Sequence, residues 1–144
     1  MILGSDEDTA TVGAQLAGQT RRGDVIAIFG PLGVGKTTLV RGYLIALGYR
    51  DEVPSPSFAI VQPYETLYPP AWHVDLYRLK EGSEIAELGL DAADDAVLLV
   101  EWPERAGANA WPQALRLSLD FAAAGARRLT AQVPPAWEGR WPPQ

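Results

Sequence analysis

An α/β fold, with a central, mostly parallel sheet flanked by helices and an antiparallel hairpin at its C-terminal end, is expected from three features of this 144-residue chain. A short apolar, β-branched run, VIAIF (25–29), reads as a buried strand. It leads directly into GPLGVGKT (30–37), which fits the G-x-x-x-x-G-K-[ST] spacing of a phosphate-binding loop. Helical periodicity then begins at once in TTLVRGYLIALG (37–48). Strand, glycine loop and helix in this order are the context in which such a loop works, so the expected sheet is P-loop NTPase-like.

The remaining elements follow along the chain. EDTATVGAQLAGQTR (7–21) places Val12 and Leu16 at helical spacing, and Gly23-Asp24 makes a turn before the first strand. In the helix after the loop, Leu39, Val40, Tyr43, Leu44 and Leu47 share one side, and Gly48 is its stop signal. Pro54 and Pro56 exclude a helix in the next stretch, which reads as a loop over 53–57 and a strand from Phe58 to about Tyr64. WHVDLYRL (72–79) alternates Trp72, Val74 and Leu76 against His73, Asp75 and Tyr77, the pattern of a strand. EGSEIAELGLDAADD (81–95) reads as mostly helical with a cap near Ser83, and AVLLVEW (96–102) as a second buried strand ending in an acid. ALRLSLDF (114–121) and RRLTAQV (127–133) alternate as a closing antiparallel pair. Residues 1–134 are expected to form one domain, and the Pro/Trp-rich end, 135–144, is expected to fray.

Composition narrows the function classes. There are no cysteines, which removes disulfides and thiolate metal sites. The start, MILGSDEDTA, lacks a basic region and a long apolar run, and no stretch approaches the length of a membrane helix, so a cytoplasmic location with no membrane partner is expected. The formal net charge of −6 argues against tight, independent nucleic-acid binding, which draws most of its affinity from basic contacts to phosphate. The chain uses ten arginines but only two lysines, and one of the two, Lys36, stands at the lysine position of the loop.

A nucleotide triphosphate needs many donors and little side-chain bulk. Gly30, Gly33 and Gly35 let the backbone wrap phosphates with its N–H groups inward, and the following helix adds its positive end. Lys36 would reach the β- and γ-phosphates as a point charge, and the Thr37 hydroxyl would ligate Mg²⁺. A second hold on the metal comes from an acid at the end of a neighbouring strand. Glu101, at the end of AVLLVE, has the expected form; Asp75 in HVDL is the second candidate, either holding the metal through water or orienting the attacking water. Spacing does not divide those roles. His73, the single histidine, ranks below Asp75 because a lone histidine is more often structural. PSPSF (54–58) carries hydroxyls on Ser55 and Ser57 but on its own reads as a proline-rich turn.

Taken together, GDVIAIFGPLGVGKTTLVRGYLIALG, PSPSF, HVDLYRL and EWPE resemble, in order and spacing, the TsaE (YjeE) family, over roughly residues 6 to 130. The resemblance implies a small bacterial ATPase needed to make N6-threonylcarbamoyladenosine at the adenosine beside the tRNA anticodon. Its implied partners are TsaB and TsaD, with tRNA reached through that complex, and its implied cofactors are ATP and Mg²⁺. Position by position, it implies a phosphate site at Gly30, Gly33, Val34, Gly35, Lys36, Thr37 and Thr38. Magnesium would be held by Thr37 and Glu101, with Asp75 the catalytic acid, and Ser57 would supply the hydroxyl of a switch-like segment. Trp102 would lie beside the site, Asp6 and Thr9 would help to hold the nucleotide, and Arg127 or Arg128 would approach it from the last hairpin. The chain departs from the common pattern at Pro31 and Val34 within the loop, and at Ala126, where an arginine often follows the hairpin glycine.

Two other readings share the loop: a small-molecule kinase, and a regulatory module that binds nucleotide without turnover. The chain has no inserted segment of the size a kinase acceptor site needs, and Arg78 and Arg105 are its few other loop arginines. The lack of an evident arginine finger points to slow hydrolysis by the protein alone. ATP-dependent self-association stays open.

Overall fold

The structure is a computed structural model that describes residues 1–53, 61–79, 88–107 and 109–143. Its strands are β1 (Ile2–Leu3), β2 (Val25–Phe29), β3 (Val61–Tyr64), β4 (Ala71–Asp75), β5 (Val97–Glu101), β6 (Leu115–Phe121) and β7 (Arg127–Gln132). Among the described residues they form one seven-stranded sheet in the order β1-β7-β6-β2-β5-β4-β3. The four central strands are parallel, β6 to β2, β2 to β5 and β5 to β4. The outer pairings, β1 with β7, β6 with β7 and β3 with β4, are antiparallel, so the expected C-terminal hairpin closes one side. Pro63 is accommodated because β3 is an edge strand, where a missing N–H breaks no ladder.

Two α-helices, α1 (Asp6–Ala17) and α2 (Lys36–Ala46), cover one face. Val12, Leu16, Leu39, Tyr43 and Leu44 bury there against Ile26, Ile28, Leu99, Leu115 and Leu117. Fully burying one such side chain stabilises the fold by about 1.5–3 kcal/mol. Two glycines set how closely the helices approach. A Cβ added at Gly13 would lie 2.0 Å from the Leu39 carbonyl oxygen, and one added at Gly42 would lie 2.0 Å from that of Ala10. The opposite face packs Val74, Leu98 and Val100 with Trp72, Leu90 and Trp111.

Several expectations are corrected. The first helix stops at Ala17 rather than running to residue 21, because Gly18 caps it and its N–H turns back to Gln15. It begins one residue early, at Asp6, because the Ser5 hydroxyl accepts the Asp8 N–H. The strand expected over 72–79 ends at Asp75; the Leu76 N–H donates to the Glu101 carbonyl and the chain then turns. Of the helix expected over 81–95, the cap at Ser83 and residues 81–87 lie outside the described residues. The rest is a short 3-10 turn, Leu90–Ala93, preceded by Gly89 at φ 68°, a left-handed conformation that interrupts an α-helix. The PSPSF loop and the first residues of the strand expected from Phe58 also fall outside the described residues.

The largest correction concerns the end of the chain. Residues 135–144 were expected to fray, yet Trp137 has 0% exposure. The Arg140 guanidinium stacks 4.0 Å from its ring and reaches both carboxylate oxygens of Asp24, at 2.6 and 3.1 Å. Arg140 also donates to the Gln19 and Ala136 carbonyls. A buried indole and a two-pronged ion pair tie this segment to the turn before β2.

Candidate active site

The parallel registers bring the site together. Ile28 pairs with Glu101, and Glu101 pairs with Asp75, so the carboxyl ends of β2, β5 and β4 stand side by side. Ligands of open α/β sheets bind at this end of the strands. From β2 the loop of residues 30–35 turns over this edge into α2. Gly30 passes so close to β6 that a Cβ there would sit 2.6 Å from the Leu119 carbonyl oxygen. The N-cap of α2 is Gly35, with no side-chain cap, so its first amide donors are left for a ligand. The result is a cleft of about 230 Å³ lined by Leu32, Gly33, Gly35, Lys36, Thr37, Thr38, Asp75, Tyr77, Glu101 and Trp102.

Lys36 is buried and folds back onto its own loop. Its ammonium donates to the carbonyls of Gly30 at 2.6 Å and Pro31 at 3.0 Å, and lies 4.0 Å from the centre of the Trp102 ring. Burial holds its pKa below the usual lysine value, while the charges of Glu101, Asp75 and Glu104 oppose that shift. Trp102 takes a left-handed backbone, φ 57°, and the Tyr77 ring packs against its indole with ring centroids 4.8 Å apart.

Glu101 is the hub. Its carboxylate accepts the Thr37 hydroxyl at 3.0 and 3.1 Å and meets His73 Nε2 at 2.5 Å. All three side chains come from different elements, α2, β5 and β4. Asp75 is 6% exposed and accepts the Tyr77 N–H at 2.9 Å through Oδ1. Burial raises its pKa above 3.8 and the Glu101 charge adds to this, against the Tyr77 hydrogen bond and the nearby His73 and Lys36.

The other expected residues divide. Thr9, on α1, is buried, and its methyl carbon lies 3.8 Å from where a Gly35 Cβ would stand, so it backs the loop. Asp6 is exposed in the first turn of α1. Of the two hairpin arginines, Arg127 reaches the loop: its Nε donates to the Val34 carbonyl at 2.9 Å, and Nη1 donates to Gly125 and Ala126. Arg128, opposite Ile2 and Asp120, is exposed. Ser57 lies outside the described residues. Two features were under-read in the sequence, the His73–Glu101 contact and the Lys36–Trp102–Tyr77 stack. The first had a visible signal, since His73 and Asp75 are two apart on one strand and therefore share a face.

Comparisons with known proteins place the chain in a family. The family model described as "Threonylcarbamoyl adenosine biosynthesis protein TsaE" matches residues 3–129. A tRNA threonylcarbamoyladenosine biosynthesis protein TsaE from Streptomyces coelicolor is 43% identical over 115 residues, covering 77% of this chain and 78% of the relative. Proteins of the same description are 41% identical over 108 residues in Mycobacterium tuberculosis and 39% identical over 98 residues in Bacillus subtilis. These matches cover 68% and 67% of this chain but span only 64% and 61% of those relatives. Among solved structures, that of YdiB from Bacillus subtilis superposes with a TM-score of 0.80 at 27% identity, covering 96% of this chain and 87% of that one. The chain belongs to the TsaE family of threonylcarbamoyladenosine biosynthesis in tRNA.

Proposed function

We propose that the protein binds ATP with Mg²⁺ and hydrolyses it, slowly on its own, as the cytoplasmic ATPase that works with TsaB and TsaD in forming threonylcarbamoyladenosine in tRNA. The observation that carries this reading is the convergence of Lys36, Thr37, Asp75 and Glu101 on one cleft, beneath an uncapped helix start. Such a set supplies donors for phosphate, a point charge and paired oxygen ligands in one place.

The donor set fits magnesium. Thr37 Oγ1 and the Glu101 carboxylate are hard oxygen ligands within 3.1 Å of each other, and Mg²⁺ takes one or two carboxylates together with waters and phosphate oxygens. When bound, the ion would neutralise charge between the β- and γ-phosphates. Thr37 and Glu101 would hold it. Lys36 would release the Gly30 and Pro31 carbonyls and turn to the phosphates. Asp75, with Oδ1 fixed by the Tyr77 N–H, would orient the attacking water. Arg127 would act at a distance, holding the loop through the Val34 carbonyl. Among the described residues that line the cleft there is no arginine, which supports slow turnover without partners.

The test is the rate of ATP hydrolysis with and without purified TsaB and TsaD, with tRNA present. A slow rate that rises several-fold with the partners, together with modified tRNA, is the expected result. A rate indifferent to them, with phosphate transferred to an added small molecule, would replace this reading by a kinase.

A further inference from the structure

His73 sits at the middle of β4 with 0% exposure, and its bonding is lopsided. Nε2 meets Glu101 Oε2 at 2.5 Å, whereas the other ring nitrogen, Nδ1, is buried with no partner among the described residues. A histidine kept for the stability of a core would be expected to satisfy both nitrogens, because an unpaired buried polar atom weakens the fold. Among the described residues the ring makes one hydrogen bond, and that bond goes to the carboxylate at the centre of the cleft. Facing a carboxylate, Nε2 carries the hydrogen and donates it.

Glu101 needs such a partner. It is 3% exposed, and among the described residues its side chain has two contacts, Thr37 and His73. Its other neighbour on the same face of β4, Asp75, is an acid and repels it. Once the Thr37 hydroxyl turns its oxygen to a cation, His73 is the donor that still fixes the carboxylate. Its bond engages Oε2, while both carboxylate oxygens stay beside the Thr37 hydroxyl, Oε1 at 3.1 Å and Oε2 at 3.0 Å.

We propose that His73 is a positioning residue: it holds the Glu101 carboxylate in the one orientation that presents an oxygen beside Thr37, so that the divalent cation accompanying the nucleotide is bound tightly. The inference rests on the Mg²⁺–ATP reading above. Outer partners of metal ligands are typically worth 10–100-fold in metal affinity.

The test is calorimetric binding of a non-hydrolysable ATP analogue, with Mg²⁺ and with EDTA, to wild type, His73→Leu, His73→Asn and His73→Gln, with thermal melting of each variant. Gln can place a donor near the position of Nε2, whereas Asn is too short. In His73→Leu and His73→Asn the affinity in EDTA is expected to stay within about twofold of wild type, since phosphate-loop contacts are intact. The gain in affinity on adding Mg²⁺ should fall at least tenfold, and His73→Gln should restore most of it. Should His73→Leu not fold, the contrast between Asn and Gln carries the same comparison. A wild-type Mg²⁺ gain retained in the Leu and Asn variants, or affinities in EDTA and Mg²⁺ falling together with the melting temperature, would overturn the proposal. A wild type that itself binds the analogue without any gain from Mg²⁺ would overturn the underlying reading as well, and the two failures are thereby told apart.

Discussion

Lys36→Met removes the charge at the centre of the cleft and keeps the length of the stem. Two opposed effects follow from the geometry. Without nucleotide, burial already disfavours the ammonium, and its two carbonyl bonds and its contact with Trp102 only offset that cost. The empty protein should therefore be as stable as wild type or slightly more so. With ATP, one ammonium beside one phosphate charge is worth about 4 kcal/mol at 4 Å and an effective dielectric of 20. Giving up the bonds to Gly30 and Pro31 returns roughly 1 kcal/mol. The net loss of about 3 kcal/mol is about 150-fold in Kd. At ATP equal to 100 times the wild-type Kd, binding stabilises wild type by about 2.7 kcal/mol and the variant by about 0.3 kcal/mol. For a chain of this size that is a thermal shift of about 5–10 °C falling to about 1 °C, readable by differential scanning fluorimetry with Mg²⁺–ATP. A variant that keeps the full shift would refute the assignment of Lys36 to the phosphates. One that melts far below wild type without nucleotide would refute the claim that its charge is a net cost to the empty fold.

Three further outcomes are expected. Trp137→Ala empties a fully buried indole site and takes the ring from under Arg140, so urea denaturation should show a loss of about 3–5 kcal/mol while ATP affinity, at the other end of β2, stays unchanged. Gly42→Val places a Cβ 2.0 Å from the Ala10 carbonyl and must prise α1 from α2; a loss of at least about 1–3 kcal/mol is expected, and wild-type stability would contradict the described contact. Burial raises the Asp75 pKa above 3.8, so the folded chain holds that proton more tightly than the unfolded one. The ionised group then weakens the fold fully above its folded pKa and not at all below 3.8, and the effect grows as pH rises between the two. Asp75→Asn should therefore be more stable than wild type at pH 7, with the advantage vanishing in melts taken toward pH 3.8, whereas its hydrolysis rate should fall more than its ATP affinity.

How far the residues themselves disclosed the molecule depended on the range of the forces involved. VIAIF became β2 at its expected limits, and the glycine loop and the start of α2 fell where the motif placed them, because turn chemistry and side-chain periodicity act within a few residues. Glu101 was marked by its place at the end of an apolar run, and it stands there as the last residue of β5. The motif and the paired acids thus marked residues that line one cleft before any contact was known. What they did not contain was which of those groups touch. The 2.5 Å contact of His73 with Glu101 depends on the register of β4 against β5, and the choice of Arg127 over Arg128 depends on which side of β7 meets the loop. The two-residue strand β1 exists only because β7 offers it an edge. The strand read over 72–79 stops short because the Leu76 N–H turns to Glu101, and residues 135–143 pack rather than fray because Asp24, over a hundred positions away, meets Arg140. Each of these outcomes turns on an interaction between distant segments, and its free energy appears only once the chain has closed the loop between them.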